Sequence, residues 1–383
     1  MSIWETPERQ ALRAAVQDFT RAEIVPHLPD WEDAGQLPRE LHRTTAKAGF
    51  LGVGYPEEIG GVGGDIVDAS IVSEAMLLAG GSTGLQASLL THAIATPHII
   101  AAGDPTLIDR YVRPTLAGDM IGSLGVTDPG GGSDVAGLRT RAVRDGDHYV
   151  VNGAKTFITS GVRSDFVTTA VRTGGDGAGG ISLLVIDKGT PGFEVSKPLR
   201  KMGWHCSDTA ELSFSDVRVP AGNLVGEENG GFVLIMQQFV GERLMMALQS
   251  YATAQRALDL AAQYARERDT FGRPLITRQV IRHKLVEMHS RTAAARALTR
   301  AAIERSLETP KTDPGLILDA VTAKNVSVTT AEFAVHEAVQ IFGGMGYMRE
   351  SEIDRHYRDA RILGIGGGAT EVMKDLAAKL LGY

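Results

Sequence analysis

At 383 residues the chain exceeds what one hydrophobic core supports, since single cores stop growing near roughly 250–300 residues, so two or three domains are expected. A hydrophobic fraction of 43% argues against disorder, and a net charge of −7, from 39 basic and 46 acidic side chains, disfavours a general polyanion binder and hence nucleic acid. The single cysteine, Cys206, excludes an internal disulfide and a multi-thiolate metal site.

Residues 1–120 read as a helical domain. Thr6-Pro7-Glu8-Arg9 opens a helix whose Leu12, Ala15, Val16 and Phe19 recur at helical spacing. The opening stretch is amphipathic, without the apolar core of a signal peptide, and no run approaches about 20 apolar residues. A soluble, cytoplasmic protein without membrane partners is expected. The stretch "GFLGVGYPEEIGGVGGD" interrupts the helices; its glycines lack a Rossmann context and read as turns. "DASIVSEAMLLAGG" then resumes a helical pattern.

Residues 121–230 change texture. Short runs with β-branched residues and alternation, among them "MIGSLGVT", "AKTFIT", "DFVTTAVRT", "ISLLVID" and "AELSFSDVRVP", are separated by the turn signals Asp145-Gly146, Asn152-Gly153 and "GGDGAGG". The last reads as a solvated hairpin tip. An antiparallel β-barrel or sandwich follows. Residues 231–383 are helical again and alanine-rich, with one very long helix and two more that suggest a four-helix bundle. The expected fold class is therefore α+β and multidomain, in the order helical, β, helical bundle.

Most candidate motifs fail on inspection. In "RILGIGGGATEVMKDL", Gly364, Gly366 and Ala369 satisfy G-x-G-x-x-A, but only fourteen residues follow Ala369, too few for a Rossmann unit. His283, Glu287 and His289 in "HKLVEMH" have the wrong spacing for a zinc-binding helix and read as surface polar groups. The charge run "RESEIDRHYRDAR" reads as a solvated or interface-facing helix.

Two features stand out. In "GVTDPGGGSDVAGLRT" a strand delivers Val126 and Thr127 into an acidic, glycine-rich loop in which backbone N–H groups can approach a ligand. On the long helix, Phe232, Ile235, Phe239 and Met246 form an apolar stripe with Glu242 in its middle. Its neighbours three and four residues away, Gln238, Phe239, Met245 and Met246, are not cationic, and Arg243 points about 100° away around the helix. Such a carboxylate either lies at the edge of the stripe or is buried for a purpose.

Together with "VNGAKTFITSG", "ARERDTFGRPL", "QIFGGMGY" and "RDARILGIGGGATEVM", these segments resemble the acyl-CoA dehydrogenase family along the whole chain. The resemblance implies FAD as cofactor, an acyl-CoA substrate, a trans double bond placed between its Cα and Cβ, and an electron-transferring flavoprotein as acceptor. It lays Val126 and Thr127 along the flavin, with Phe157 and Thr159 beside it, and brings Ser133 to the acyl-CoA. It sends Arg268, Phe271, Gln340 and Gly344 toward the FAD of a neighbouring subunit, which implies a homotetramer built as a dimer of dimers. Ala369 falls near the FAD phosphates, and Glu371 is among the cofactor-binding residues.

Departures from the family pattern are informative. Phe157 stands where many members have tryptophan, Ala369 replaces a threonine, and Asp128 replaces a glutamate. Most members carry the catalytic glutamate at the position of Gly367. A minority, the isovaleryl and long-chain types, have glycine or alanine there and bring the glutamate from the long helix, at the position of Glu242-Arg243. The glycine run then reads as the vacated site of a base that has moved, with the Gly367 backbone N–H retained, beside the FAD ribityl 2′-hydroxyl, as a donor to the thioester carbonyl. Glu242 is expected to take the α-proton while a β-hydride passes to flavin N5, and Arg243 to order the loop, meet the acyl-CoA or form a structural ion pair. The alternatives are an acyl-CoA oxidase using oxygen, and a non-catalytic FAD-containing relative that binds DNA or a partner. A nitroalkane-oxidase-like enzyme is weaker, because those relatives use aspartate at the Gly367 position.

Overall fold

A computed structural model describes residues 2–383. Helices occupy the chain as far as Leu116, strands run from Gly122 to Pro220, and helices return from Gly231 to Leu381, apart from a small ribbon of Asp269–Thr270 with Arg273–Pro274. The first long helix, Pro7–Phe19, starts as its sequence suggests. Thr6 accepts the Arg9 N–H at 3.3 Å and proline occupies the first turn, where its missing N–H costs nothing. Helix Ile66–Leu78 carries a reciprocal Asp65/Asp68 cap and is buried on nearly every side, as a helix apolar all round must be. Between these two, Gly54, Gly60, Gly63 and Gly64 take positive φ in turns.

The middle region is one curled seven-stranded sheet. Its strands are β1 (Gly122–Gly125), β2 (Arg141–Asp145), β3 (His148–Thr159), β4 (Phe166–Arg172), β5 (Ile181–Asp187), β6 (Phe193–Pro198) and β7 (Thr209–Pro220). The order is β1-β4-β2-β3-β7-β6, with β5 on the free side of β4. Pairing is antiparallel except for β1–β4 and a single β2–β4 contact, which are parallel. Strands β4 and β5 are buried on both faces. Phe166, Ala170, Leu183 and Val185 meet Ile99, Leu107 and Tyr111 of the N-terminal helices. The alternate residues Val167, Val171, Leu184 and Ile186 close against Leu212 and Phe214 within the sheet. Period-two side-chain alternation thus gives one strand pair two cores.

Asp145-Gly146 makes the β2–β3 hairpin, with Gly146 at φ +61°, and "GGDGAGG" joins β4 to β5. Asn152-Gly153 is not a turn. It lies inside β3, where the pairing with β7 slips by one residue between Val151 and Gly153. Gly153 has φ +145°, and a Cβ there would stand 2.7 Å from the Thr140 Cα. The dipeptide serves a bulge and a close backbone approach rather than a chain reversal.

Helices Gly231–Glu267, Gln279–Arg305 and Pro314–Phe342 pack on one another, and Thr370–Leu381 closes the bundle against the third. Alanines at 247, 254, 257 and 261 on the first and 320, 323, 334 and 338 on the third lie in the shared cores. The charge run near the C-terminus is not a solvated helix. In Glu352–Ala360, residues Ile353, His356 and Asp359 are buried. Glu352 pairs with Arg256 at 2.7 Å and Arg355 with Glu32 at 3.1 Å, while Asp359 accepts the Trp204 and Gly84 backbone N–H groups at 2.5 and 3.2 Å. These partners come from segments remote in sequence, so periodicity along the helix could not indicate them.

Candidate active site

The middle of the long helix faces the glycine turn after Leu363. Leu244, Ala247, Leu248 and Tyr251 anchor this part of the helix in the core, which leaves Glu242 half-buried toward the turn. A Cβ placed on Gly367 would stand 3.5 Å from Glu242 Oε1, 3.6 Å from Lys324 Cε and 2.5 Å from Met246 Sδ. Gly367 has φ +61° and Gly368 φ +101°, conformations that glycine adopts at little cost. The turn can therefore bring its backbone where no side chain would fit.

Two cations fix that backbone. Arg243, buried with its guanidinium 5.5 Å from the centre of the Phe239 ring, donates from Nε to the Gly367 carbonyl at 3.3 Å. Lys324, fully buried on the third bundle helix, donates from Nζ to the Gly368 carbonyl at 2.7 Å. The Gly366 N–H is bound by the Ile362 carbonyl at 2.8 Å. Among the described residues the Gly367 N–H finds no acceptor and the Glu242 carboxylate receives no hydrogen bond, so both remain available to a ligand. Burial raises the Glu242 pKa above its ordinary value, against the opposing charges of Arg243 and Lys324. Burial, together with Arg243, lowers that of Lys324 to about 8.

Val126 and Thr127 continue from β1 and lie beside the end of β3. The Thr156 N–H donates to the Thr127 carbonyl at 2.9 Å, and the Ser123 hydroxyl to the Thr159 carbonyl at 2.9 Å. Between Lys155 and Ile158 the β3–β7 ladder is interrupted. Phe157 stands out there with φ +61° and 69% exposure. The fully buried Lys155 ammonium reaches the Val126 carbonyl at 3.0 Å and Asp128 at 2.5 Å. The second Asp128 oxygen accepts the Arg139 and Thr140 N–H groups. Burial would raise the Asp128 pKa, but Lys155 and these donors hold it below the usual carboxylate range. Ser133 is exposed in the adjoining loop, which borders a cleft of about 330 Å³ lined by Asp128, Gly131, Asp134, Leu138, Thr140 and Gly153.

Arg268, Phe271, Gln340 and Gly344 are exposed in the single chain. Phe271 is 98% exposed at φ +50°, with Arg278 over its ring at 5.6 Å. Ala369 caps the closing helix without a side-chain hydrogen bond, and Glu371 sits exposed in its first turn. The structure thus brings Glu242, Arg243 and Gly367 together in one group and Val126, Thr127, Phe157 and Thr159 in another. Lys324 and Lys155 escaped the sequence reading. A signal for Lys324 existed: it has Ala320, Val321, Ser327 and Val328 at three and four residues on either side, with no acid among them.

The chain matches the acyl-CoA dehydrogenase N-terminal domain over residues 6–119, the middle domain over 123–217 and the C-terminal domain over 229–382. It is 36% identical to the mitochondrial long-chain specific acyl-CoA dehydrogenase of Mus musculus, over 97% of this chain and 86% of that one. A probable acyl-CoA dehydrogenase from Mycobacterium abscessus superposes with a TM-score of 0.97 at 64% identity, covering 99% of this chain and 100% of that one. A glutaryl-CoA dehydrogenase from Mycobacterium smegmatis, solved in complex with FADH2, superposes with a TM-score of 0.90 at 25% identity, covering 98% and 95%. The chain belongs to the acyl-CoA dehydrogenase family of oxidoreductases.

Proposed function

We propose that this enzyme oxidises an acyl-CoA between Cα and Cβ with Glu242 as the base, the carboxylate coming from the long helix because the turn position, Gly367, has none. The observation that carries the reading is the 3.5 Å between Glu242 Oε1 and the point where a Gly367 side chain would begin. The Glu242 carboxylate thus stands beside the turn position that in this chain has no side chain.

Family members are FAD enzymes, and the residues of this chain fit a flavin. Phe157 offers an exposed aromatic face beside Thr127 and Thr159, and the helix that starts after Ala369 presents backbone N–H groups free of a side-chain cap. FAD held there supplies the hydride acceptor. The rest falls to the chain itself. A partly buried carboxylate whose pKa is raised above its ordinary value is a stronger base than one in water. The unbound Gly367 N–H is a donor for the thioester carbonyl as negative charge develops on it. Arg243 holds the adjoining Gly367 carbonyl, which keeps that donor in place.

Assembly follows from the exposed side. Phe271 at 98% and Tyr347 at 81% exposure offer aromatic surface that a neighbouring subunit would cover, in keeping with a homotetramer in which Arg268, Phe271, Gln340 and Gly344 meet a neighbour's cofactor. An electron-transferring flavoprotein as acceptor and a cytoplasmic location complete the reading. The test is anaerobic mixing of the purified FAD-loaded protein with a panel of straight and branched acyl-CoAs. At least one should bleach the flavin rapidly. A protein that takes up FAD and is reduced by none of them is not an acyl-CoA dehydrogenase of this mechanism.

A further inference from the structure

Arg243 and Lys324, on two different helices, hold two consecutive carbonyls of the turn, those of Gly367 and Gly368. Lys324 has no other hydrogen-bond partner among the described residues. Its stem also borders the volume shared by Glu242 and Gly367, with Cε 3.6 Å from the Gly367 Cβ position. An ammonium buried in an apolar stretch of helix for one backbone carbonyl is costly to keep, and the contact that uses it is with the turn. We propose that Lys324 is a positioning residue for proton abstraction: it ties the Gly366–Gly368 turn to the third bundle helix and sets the Gly367 backbone against the Glu242 carboxylate. The proposal rests on Glu242 being the base.

Charge supports the same assignment. The groups facing Glu242 are Arg243 on its own helix and Lys324 on the helix packed against it. Further along, the Lys311 ammonium stands 3.8 Å from where a Gly241 Cβ would be. The turn itself brings no charged side chain as far as Glu371. Lys324 therefore acts on the base in two separable ways, by its bond to the turn and by its charge.

Two substitutions divide them. Lys324→Gln keeps a donor for the Gly368 carbonyl and removes the charge, whereas Lys324→Met removes both. The FAD-loaded variants are read by anaerobic flavin reduction across pH and, without substrate, by hydrogen exchange of the 362–372 backbone. Removing a cation raises the pKa of a neighbouring carboxyl, so the acid limb of the reduction rate should move up by about one pH unit or more in both. Only Lys324→Met should also exchange faster in the turn and lose roughly 10–100-fold in the plateau rate. An acid limb left in place in both variants overturns the proposal, and so does an unchanged turn and plateau in Lys324→Met. Should Lys324→Met fail to fold, the limb in Lys324→Gln decides. Glu242→Gln run in parallel separates the two failures, because full reduction there removes the base itself.

Discussion

Glu242 Oε1 lies 3.5 Å from the point where a Cβ on Gly367 would stand, although the two residues are on a helix and a turn 125 positions apart. The helix carries a carboxylate into that space, while the turn has only backbone there. Glu242→Gln keeps the size and hydrogen-bonding capacity of the side chain while removing the basic oxygen. Substrate should still bind and perturb the flavin spectrum, while reductive bleaching slows by roughly 10²–10⁴. Bleaching at the wild-type rate would place the base elsewhere.

Moving the carboxylate back to the turn is harder than the sequence suggests. At Gly367 a side chain meets φ +61° and a Met246 sulfur 2.5 Å from its Cβ. The backbone alone costs about 1–2 kcal/mol for a non-glycine residue. Gly367→Glu combined with Glu242→Gly should therefore recover little activity and melt several degrees lower. Adding Met246→Ala opens the clash and should recover more of the flavin reduction rate, with an altered chain-length preference. If the double change is as active as the triple, the Met246 contact does not limit the turn.

The pH dependence of reduction has a defined sign. Burial raises the Glu242 pKa, and the ionised form is the base, so the rate should fall as pH drops through a value above the ordinary carboxylate range. Stopped-flow reduction between pH 5 and pH 9 should show this limb, and Glu242→Gln should abolish it. A limb at the ordinary carboxylate value would mean that Glu242 stays solvated when substrate is bound.

The order of domains and the presence of an acid within an apolar helix stripe were legible because both depend on local pattern. Glu242 interrupts a 3.6-residue stripe, and Thr6, Pro7 and Asp65 are helix-start signals. What stayed hidden depended on contacts between segments far apart. Asn152-Gly153 has the composition of a hairpin turn, but its meaning here is set by the close approach of Thr140. The charges of helix Glu352–Ala360 looked solvated because Arg256, Glu32 and Trp204 are at least 96 residues away. Lys324 carried the same local signal as Glu242 and became informative only once the turn was seen to end on it.

The pair formed by Lys155 and Asp128 gives a prediction about the cofactor side. Lys155 is fully buried and Asp128 nearly so, with their charged atoms 2.5 Å apart, and the same ammonium holds the Val126 carbonyl. Asp128→Asn keeps the acceptor for the Thr140 hydroxyl but leaves a buried ammonium without its counter-charge, which typically costs about 3–5 kcal/mol. The variant should melt markedly lower and retain FAD more weakly, since Val126 belongs to the segment proposed to lie along the flavin. The wild-type pair also fixes the direction of acid sensitivity. Because the Asp128 pKa is depressed in the folded protein, its stabilisation is complete above the unfolded carboxylate value and is lost as pH falls through the folded one. Melting temperature should therefore fall more steeply toward acid in the wild type than in Asp128→Asn, where this proton uptake is absent. Parallel acid slopes in the two proteins would show that the Lys155 charge is neutralised by another group.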